Sequence, residues 1–303
     1  MEKPLESLRG RDILRITDFS RQELRSILDL AHALKRKQKA REAHRLLEGR
    51  ALAMILEKPS SRTRISFEVG MFQLGGHAVM INPAEIRMGE RESVADVART
   101  ISRYVDGVMI RSNYHWTIEE FSQHATVPVI NGLSDHHHPC QALADILTIE
   151  ERKSNLTNLK VCYVGDGNNV CNSLLEICGV LGISFVAACP TGYEPLLRRK
   201  SKAISFTSDP REAADGADVI YTDVWISMGQ ESITGRKLQE FLGFAVTPEL
   251  MSCAKPDAIF MHCLPAHRGL EVDESVLEGE DSVVFDQAEN RLHAQKALLA
   301  SLL

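Results

Sequence analysis

Short apolar segments that alternate with stretches of helical periodicity are the feature that most constrains the fold of this sequence. The first series of predicted strands comprises Ala51–Leu56, His77–Ile81, Val108–Ile110 and Pro128–Ile130. The second series comprises Val161–Val164, Phe185–Ala188, Val219–Tyr221, Ile259–Met261 and Val283–Phe285. Strands that alternate with helices form right-handed βαβ units, so both series predict parallel sheets. Because the polar stretch Lys153–Asn158 separates the two series, we expect two α/β domains.

The length, charge and cysteine content of the chain narrow its class. Its 303 residues exceed what one hydrophobic core of roughly 250–300 residues supports, which also favours two domains. Acidic residues outnumber basic ones, 41 against 35, so the basic excess expected of a nucleic-acid-binding protein is missing. The N-terminus is charged from Glu2, and no apolar stretch approaches the ~20 residues that cross a bilayer. Seven cysteines without a C-x-x-C pair indicate reduced thiols and a cytoplasmic location.

Polar, chemically capable residues follow six of the predicted strands. Ligands of open parallel sheets bind outside the carboxyl ends of the strands, where loops and helix N-termini converge. In the first half the clusters are Lys58–Arg64, Arg111 and Asn131–Gln141, and in the second half they are Gly165–Asn169, Asp223–Gly229 and His262–Pro265. We therefore expect one composite cleft to which both domains contribute.

The cluster Ser60–Arg64 opens a predicted helix whose apolar face is Ile65, Val69 and Phe72. A helix N-terminus with hydroxyl groups and an arginine is suited to an anion such as phosphate. An ordinary serine cap beside surface arginines has the same sequence pattern, so the segment alone leaves both interpretations open. The Walker pattern G-x-x-x-x-G-K-[ST] does not occur, which argues against nucleoside triphosphate binding by that route.

Three other motifs suggest different chemistries. Gly165 and Gly167 follow a strand as in dinucleotide-binding loops, but Val170 occupies the third glycine position and no acidic residue follows the next strand. The adjacent histidines His136–His138 cannot easily face one metal ion, and the spacing of a structural zinc site is missing. Cys263 follows a histidine directly, yet adjacency does not place imidazole against sulfur, and a buried inert thiol is the alternative.

Taken together, five ordered motifs closely resemble the ornithine carbamoyltransferase family. The motifs are Ser60–Arg64, His138–Gln141, Asp223–Gly229, His262–Pro265 and Glu289–His293, and they span nearly the whole chain. The resemblance implies two doubly wound parallel-sheet domains, a carbamoyl phosphate-binding domain at 1–150 and an ornithine-binding domain at 151–287. The C-terminal helix at 288–303 would pack back on the first domain. A homotrimer, or a multiple of trimers, with sites near subunit interfaces is also implied.

The resemblance implies a role for each matching residue in carbamoyl transfer to the side-chain amine of L-ornithine, which gives L-citrulline. Carbamoyl phosphate would be bound by Ser60, Ser61, Arg62, Thr63, Arg111, His138, Gln141, Cys263, Leu264 and Arg291. Ornithine would be bound by Asn169, Asp223, Ser227 and Met228. Arg111, His138 and Cys263 would take part in the chemistry, the cysteine by assisting deprotonation of the amine. The family chemistry requires no cofactor and no metal ion.

Two positions depart from the family pattern. Ser61 stands where the family usually has threonine, but it keeps the hydroxyl donor, so phosphate binding should survive. Arg87 stands where family members commonly carry a glutamine or histidine that reaches the phosphate of a neighbouring subunit. Arginine could make that contact more strongly or accompany a different loop arrangement, so the cross-subunit role of Arg87 stays open.

Three alternatives stand beside the ornithine reaction. Aspartate carbamoyltransferase is the nearest, while acetylornithine and putrescine carbamoyltransferases use different loops in place of Asp223–Gly229. An NAD-dependent oxidoreductase is suggested by Gly165 and Gly167 alone. A catalytically inactive relative is the third, although the intact motifs argue against it. The sequence does not distinguish biosynthetic from catabolic arginine metabolism.

Overall fold

The computed structural model describes residues 5–153, 156–196, 203–226 and 234–303. The chain divides into two compact units. The first comprises the residues up to Leu147 together with Glu289–Leu303, and the second comprises Thr148–Ala288. Each unit is built on a parallel sheet whose strands are connected by helices, so the predicted α/β class is confirmed.

The first unit contains a four-stranded parallel sheet. Its strands are β1 (Ala51–Leu56), β2 (His77–Ile81), β3 (Gly107–Arg111) and β4 (Val129–Leu133). They lie in the order β2-β1-β3-β4, with Leu52 opposite both Ala78 and Gly107. The chain passes from β1 to β2 and then returns to β3 on the other side of β1. This sheet therefore has a topological switch point between β1 and β3, the place where open α/β sheets bind ligands.

The second unit contains, within the described ranges, a five-stranded parallel sheet. Its strands are β5 (Lys160–Val164), β6 (Ser184–Ala188), β7 (Ile204–Thr207), β8 (Val219–Thr222) and β9 (Ile259–His262). They lie in the order β7-β6-β5-β8-β9, so the switch point falls between β5 and β8. Strand β7 is an addition to the predicted set. The polar turns that follow β5 and β8 consequently meet at one edge of this sheet.

Helices connect the strands and form the outer layers. They are α1 (Arg21–Lys39), α2 (Ser61–Gln73), α3 (Pro83–Ile86), α4 (Val94–Ile101), α5 (His115–His124), α6 (Pro139–Arg152), α7 (Asn169–Leu181), α8 (Pro210–Ala214), α9 (Thr234–Glu240), α10 (Pro248–Met251), α11 (Glu274–Leu277) and α12 (Val284–Leu302). Side chains just before several helices cap them, because the first N–H groups of a helix lack partners within it. In the described part of the chain, none of the helices combines the length and apolar character needed to cross a membrane.

Apolar side chains under each sheet form the cores of the two units. In the first unit Ile55, Ile110 and Phe121 belong to one buried cluster, and in the second Ile220 and Phe260 belong to another. Full burial of such a side chain stabilises the fold by roughly 1.5–3 kcal/mol. The cores hold the strand ends in place, and the polar turns of the candidate site extend from those ends.

The predicted strand Val283–Phe285 is wrong. Helix α12 begins at Val284 rather than at Ala288, and the N–H of Gln287 already donates to the carbonyl of Val283. Before the helix begins, the N–H of Val283 donates to the carbonyl of Phe260 at 3.0 Å, a brief sheet-like contact. Three apolar residues in a row do not distinguish a strand from the first turn of an amphipathic helix.

The apolar face predicted for the helix that follows Ser60 is also wrong for the single chain. Ile65 and Phe72 of α2 are 57% and 78% exposed, whereas Phe67 and Gly70 are buried. A Cβ at Gly70 would lie 3.3 Å from the side chain of Lys296, so the small residue lies on the packed face. Helix α2 therefore presents Ile65 and Phe72 to solvent and packs its opposite face against the first unit.

Strand β4 is longer than predicted and includes Asn131, which the sequence analysis assigned to the polar segment after the strand. The Nδ2 of Asn131 donates to the carbonyl of Leu14 at 2.8 Å, and the side chain is fully buried. Asn131 therefore stabilises the sheet instead of extending into a loop.

Helix α12 carries buried basic residues in the first unit. Lys296 is fully buried, with Nζ donating to Oε1 of Gln73 at 2.8 Å and lying 3.1 Å from Nε2 of His44. Burial lowers the pKa of Lys296 to about 8. Burial, together with the charges of Lys296 and Lys35, lowers the pKa of His293 to about 3. His293 is therefore neutral in the folded protein at any pH above about 4.

We expect the substitution His293→Gln to reduce the loss of stability that acid causes. The folded pKa lies below the unfolded value of 6.5, so the unfolded state alone gains a proton between those values, and stability falls as pH falls through that window. At pH 5 this effect amounts to about 2 kcal/mol, and Lys296 adds nothing there because it is charged in both states below its pKa.

Urea unfolding at pH 8 and pH 5 measures this effect, with His77→Gln, an exposed histidine, as the matched control. The difference in unfolding free energy between the two pH values should shrink in His293→Gln and stay unchanged in the control. An equal pH dependence in wild type and His293→Gln would contradict the assignment.

Candidate active site

The first unit places the start of helix α2 directly after β1. Ser60 caps this helix, because its Oγ accepts a hydrogen bond from the N–H of Thr63 at 3.3 Å. The Ser60 hydroxyl also donates to Oγ1 of Thr63 at 3.1 Å, and Thr63 is fully buried. A helix of this length carries partial positive charge at its N-terminus, so the turn favours an anion.

Arg291 of α12 joins this turn. Its Nη2 donates to Oγ1 of Thr63 at 3.3 Å and its Nη1 donates to Oε1 of Gln141 at 2.8 Å, in a buried position. With its amide oxygen facing the guanidinium, Gln295 accepts from Nε and Nη2 of Arg291 at 3.2 and 3.1 Å, while its nitrogen donates to Ser66. All of these partners are neutral oxygen atoms. They orient the guanidinium without cancelling its charge.

The pKa of His138 is lowered by burial and by the charges of nearby arginines. His138 lies just before α6, is 3% exposed, and has a pKa held well below its usual value by burial and by the charges of Arg291, Arg111 and Arg62. Arg111 is the buried last residue of β3, and Arg62 lies in the first turn of α2. Burial and the charges of three guanidinium groups therefore keep the imidazole of His138 neutral. This arrangement suits a dianion next to an uncharged hydrogen-bond acceptor.

The second unit builds an acidic counterpart at its own switch point. Asn168 caps α7, with Oδ1 accepting from the N–H groups of Val170 and Cys171. Its Nδ2 donates to Oδ2 of the buried Asp223 at 2.7 Å, just after β8. The other oxygen of Asp223 accepts from Sγ of Cys263 at 3.0 Å. The carboxylate is thus held between the two turns and can receive a cationic group.

His262, at the end of β9, orients the chain around Cys263. Its Nδ1 accepts from the N–H of Leu264 at 2.8 Å, and its Nε2 lies 3.3 Å from the buried Glu271. Leu264 has a φ of 58°, a left-handed conformation that non-glycine residues rarely adopt. The imidazole fixes the direction of the backbone after Cys263 through that hydrogen bond.

A metal ion is one possible reading of this cluster, because ligand atoms of Asp223, His262 and Cys263 all lie within 4.8 Å of one another. Both nitrogens of His262 already face protein partners, and the Asp223 carboxylate already accepts hydrogen bonds at both oxygens. A metal ion would have to displace both contacts of His262 and the hydrogen bond that the Cys263 thiol donates. The present hydrogen bonds fit an orienting role for the histidine better than a metal centre.

Comparison with known proteins identifies the family. The model of the carbamoyl-P binding domain of aspartate/ornithine carbamoyltransferase matches residues 11–151, and that of the Asp/Orn binding domain matches residues 157–302. The chain belongs to the aspartate/ornithine carbamoyltransferase family. It is 52% identical over 304 residues to the ornithine carbamoyltransferase of Thermococcus kodakarensis, covering 97% of this chain and 96% of that protein.

Two further ornithine carbamoyltransferases are similar to this chain over nearly their full length. The ornithine carbamoyltransferase of Methanosarcina mazei is 50% identical over 299 residues, covering 97% of this chain and 99% of that protein. The solved ornithine carbamoyltransferase of Pyrococcus furiosus superposes with a TM-score of 0.94 at 50% identity, covering 97% of each chain. The similarity to this family therefore extends over nearly the whole chain.

The structure brings most of the residues named from sequence together in two groups. The group in the first unit is Ser60, Arg62, Thr63, Arg111, His138, Gln141 and Arg291, with Ser61 exposed as the first residue of α2. In the second unit Cys263 is hydrogen-bonded to Asp223 and is followed by Leu264, while Asn169 is the first residue of α7, directly after the Asn168 that holds Asp223. Arg87 is exposed and follows α3 with a φ of 41°. Ser227 and Met228 lie outside the described residues.

Two motifs that suggested other chemistries have structural explanations. A Cβ at Gly167 would overlap the backbone of Pro195, so packing alone demands glycine there. His137 packs against His115, with ring centroids 4.8 Å apart, whereas His138 lies among the arginines. The adjacent histidines therefore lie in different environments and do not form one metal site among the described residues.

Three residues that the sequence analysis did not assign to the site hold predicted site residues in position. Asn168 holds Asp223, Asp145 accepts from Nε2 of Gln141 at 2.8 Å, and Gln295 holds Arg291. Two of these are readable as helical pairs four residues apart, Gln141 with Asp145 and Arg291 with Gln295, which lie on the same helix face. The third is an asparagine at a helix N-cap.

We expect Arg62→Ala to weaken the binding of inorganic phosphate by at least about tenfold, because a charge-assisted hydrogen bond to an anion is lost. Arg64→Ala is the matched control, since Arg64 lies on the same helix but pairs with Glu68 at 3.0 Å. Isothermal titration calorimetry of both variants measures the effect. Normal phosphate binding by Arg62→Ala, or equal weakening in the control, would show that the anion site lies elsewhere.

Proposed function

We propose that this chain transfers the carbamoyl group of carbamoyl phosphate to the side-chain amine of L-ornithine, giving L-citrulline and phosphate. The observation that carries this proposal is the buried Arg291, which donates to Thr63 in the turn after β1 and to Gln141 of α6. Its charge acts on His138 together with those of Arg111 and Arg62. A phosphate dianion needs several positive groups, while the carbamoyl carbonyl beside it is uncharged. The names of the relatives support ornithine as the acceptor.

The phosphate is bound by the N-terminus of α2 and the three guanidinium groups. Ser60, Ser61, Arg62 and Thr63 contribute the turn, while Arg111 and Arg291 contribute charge. The bond between the carbamoyl carbon and the bridging oxygen breaks, and negative charge gathers on that oxygen. These groups therefore stabilise the phosphate more strongly as it leaves. The same groups therefore bind the substrate and lower the barrier.

The carbamoyl group is activated by neutral donors next to the phosphate site. His138, being neutral, donates one N–H to the carbonyl oxygen, with Arg111 and Thr63 as further donors to the oxyanion of the tetrahedral intermediate. Gln141 commits its oxygen to Arg291 and one N–H to Asp145. Its second N–H is directed to the carbamoyl group.

The amino acid is bound by the second unit. Asp223 receives the α-ammonium group of ornithine, supported by Asn169, Ser227 and Met228. Cys263 and the backbone of Leu264 face both substrates, and the cysteine assists loss of the amine proton. Hydrogen bonding between Cys263 and Asp223 keeps the thiol and the carboxylate in a fixed relation.

The reaction joins the amine nitrogen to the carbonyl carbon and breaks the bond from that carbon to the phosphate oxygen. The amine has a lysine-like pKa of about 10.4 in water, so it must lose a proton before it attacks. A desolvated position beside cationic groups favours the neutral amine. The ammonium group gives up one proton to solvent before the attack. After the attack the nitrogen gives up a second proton, which the departing phosphate takes up as it leaves as HPO₄²⁻, and no cofactor or metal ion takes part in these steps.

Assembly and location complete the proposal. The first domain, 1–150 with the C-terminal helix, would bind carbamoyl phosphate, and 151–287 would bind ornithine. We propose a cytoplasmic homotrimer or a multiple of trimers, with Arg87 reaching a neighbouring subunit and with neither nucleic acid nor membrane as partner. The exposed Ile65 and Phe72 support a subunit interface, because large apolar side chains on one helix face are usually covered.

Carbamoyl-transfer assays with ornithine, putrescine and aspartate offered separately test the function. We expect turnover with ornithine, and we expect Asp223→Asn to raise the KM for ornithine by at least about tenfold, because the ammonium group loses its counter-ion. The KM for carbamoyl phosphate should change little. Turnover of aspartate alone would refute the assignment, and an unchanged ornithine KM in Asp223→Asn would refute the role of that carboxylate.

A further inference from the structure

A buried ion pair lies beside the amino-acid side of the site. Nζ of Lys237, on α9, donates to Oδ2 of Asp166 at 2.6 Å, and both side chains are largely shielded from solvent. The ammonium group also lies over the rings of Tyr193 and Phe241, 5.2 and 5.5 Å from their centroids. A lysine held by a carboxylate and two aromatic faces has a well-defined position.

The turn that carries Asp166 also carries the groups that hold Asp223. The carbonyl of Asp166 accepts from Tyr163 Oη at 2.8 Å and from the N–H of Asn168 at 2.7 Å, and Asn168 in turn donates to Asp223. Asp166 and Asp223 are close enough to repel. Burial raises the pKa of Asp166, the charge of Lys237 opposes that rise, and the charge of Asp223 adds to it.

The local charge therefore depends on Lys237. With Lys237 in place, the charges of Asp166, Asp223 and Lys237 sum to one negative unit. Without it, the two neighbouring carboxylates would present two negative units to a ligand. A difference of one full charge in a shielded position changes the affinity for charged ligands strongly.

We propose that Lys237 is a specificity-determining residue, because it neutralises Asp166 and leaves Asp223 as the uncompensated member of these two carboxylates, facing the amino acid. This inference deepens the proposed function, on which it rests. An α-amino acid brings a carboxylate together with its ammonium group, which a doubly negative site would repel. A diamine such as putrescine has two ammonium groups and no carboxylate, so the doubly negative site would favour it.

Four proteins give a graded series of charge at this position. Lys237→Met carries two negative units, the wild type and the double variant Lys237→Met/Asp166→Asn carry one, and Asp166→Asn alone carries none. Lys255→Met is the matched control, because it also removes a lysine that is paired with an aspartate. Nζ of Lys255 lies 2.7 Å from Oδ1 of Asp218, but the lysine side chain is half-exposed. Circular dichroism and thermal unfolding establish that each variant is folded.

The measurement is the dissociation constant of putrescine divided by that of L-norvaline, an amino acid of ornithine's length without the side-chain amine. Calorimetry on the full chain, saturated with inorganic phosphate at pH 8.5, gives both constants. The alkaline pH favours the ionised form of Asp166, whose pKa burial raises. We expect the ratio to fall at least about tenfold in Lys237→Met, to return in the double variant, and to rise in Asp166→Asn.

An unchanged ratio in Lys237→Met overturns the proposal, and so does an equal fall in the double variant, which would make the role purely structural. If Lys237→Met does not fold, the rise expected in Asp166→Asn decides the question, and a fall or no change there overturns it. The readout is binding, so it is independent of turnover. Failure of the wild type to carbamoylate ornithine would count against the proposed function instead.

Discussion

Three guanidinium groups around one neutral imidazole are the constraint on which the rest of the first unit depends. Like charges repel, and the burial of Arg111 and Arg291 costs free energy, so these two side chains depend on the surroundings that hold them in place. Gln141, Gln295 and Thr63 supply hydrogen bonds to Arg291 without neutralising it. Burial and the same charges lower the pKa of His138 and keep it unprotonated. An anion that completes the cluster would therefore both bind tightly and stabilise the fold.

The second unit uses the same topological position for the opposite sign of charge. Its switch point lies between β5 and β8, where Asn168 and Cys263 direct hydrogen bonds at Asp223. Lys237 compensates Asp166 nearby, which limits the negative charge to one carboxylate. Two parallel sheets thus give two sites of opposite charge from one structural rule. This division matches a reaction between an anionic donor and a cationic amino acid.

The sequence predicts those parts of the fold that local patterns determine. Strands Ala51–Leu56 and His77–Ile81 have the predicted bounds, and the polar turns lie at the strand ends as expected. Val283–Phe285 failed because a three-residue apolar run fits a strand and a helix start equally well. The exposure of Ile65 and Phe72 reverses the predicted face of α2, since periodicity marks an apolar stripe but not what covers it. The pairing of Lys237 with Asp166, 71 positions apart, depends on tertiary packing and has no local signal.

The ³¹P chemical shift of inorganic phosphate bound to the protein, followed from about pH 8 to about pH 5, tests the central claim most directly. The guanidinium groups and the helix N-terminus stabilise the dianion over the monoanion, so bound phosphate should resist protonation to a lower pH than free phosphate in the same buffer. The account predicts a clear downward displacement of that titration. A bound phosphate that takes up its proton at the same pH as the free ion would contradict it.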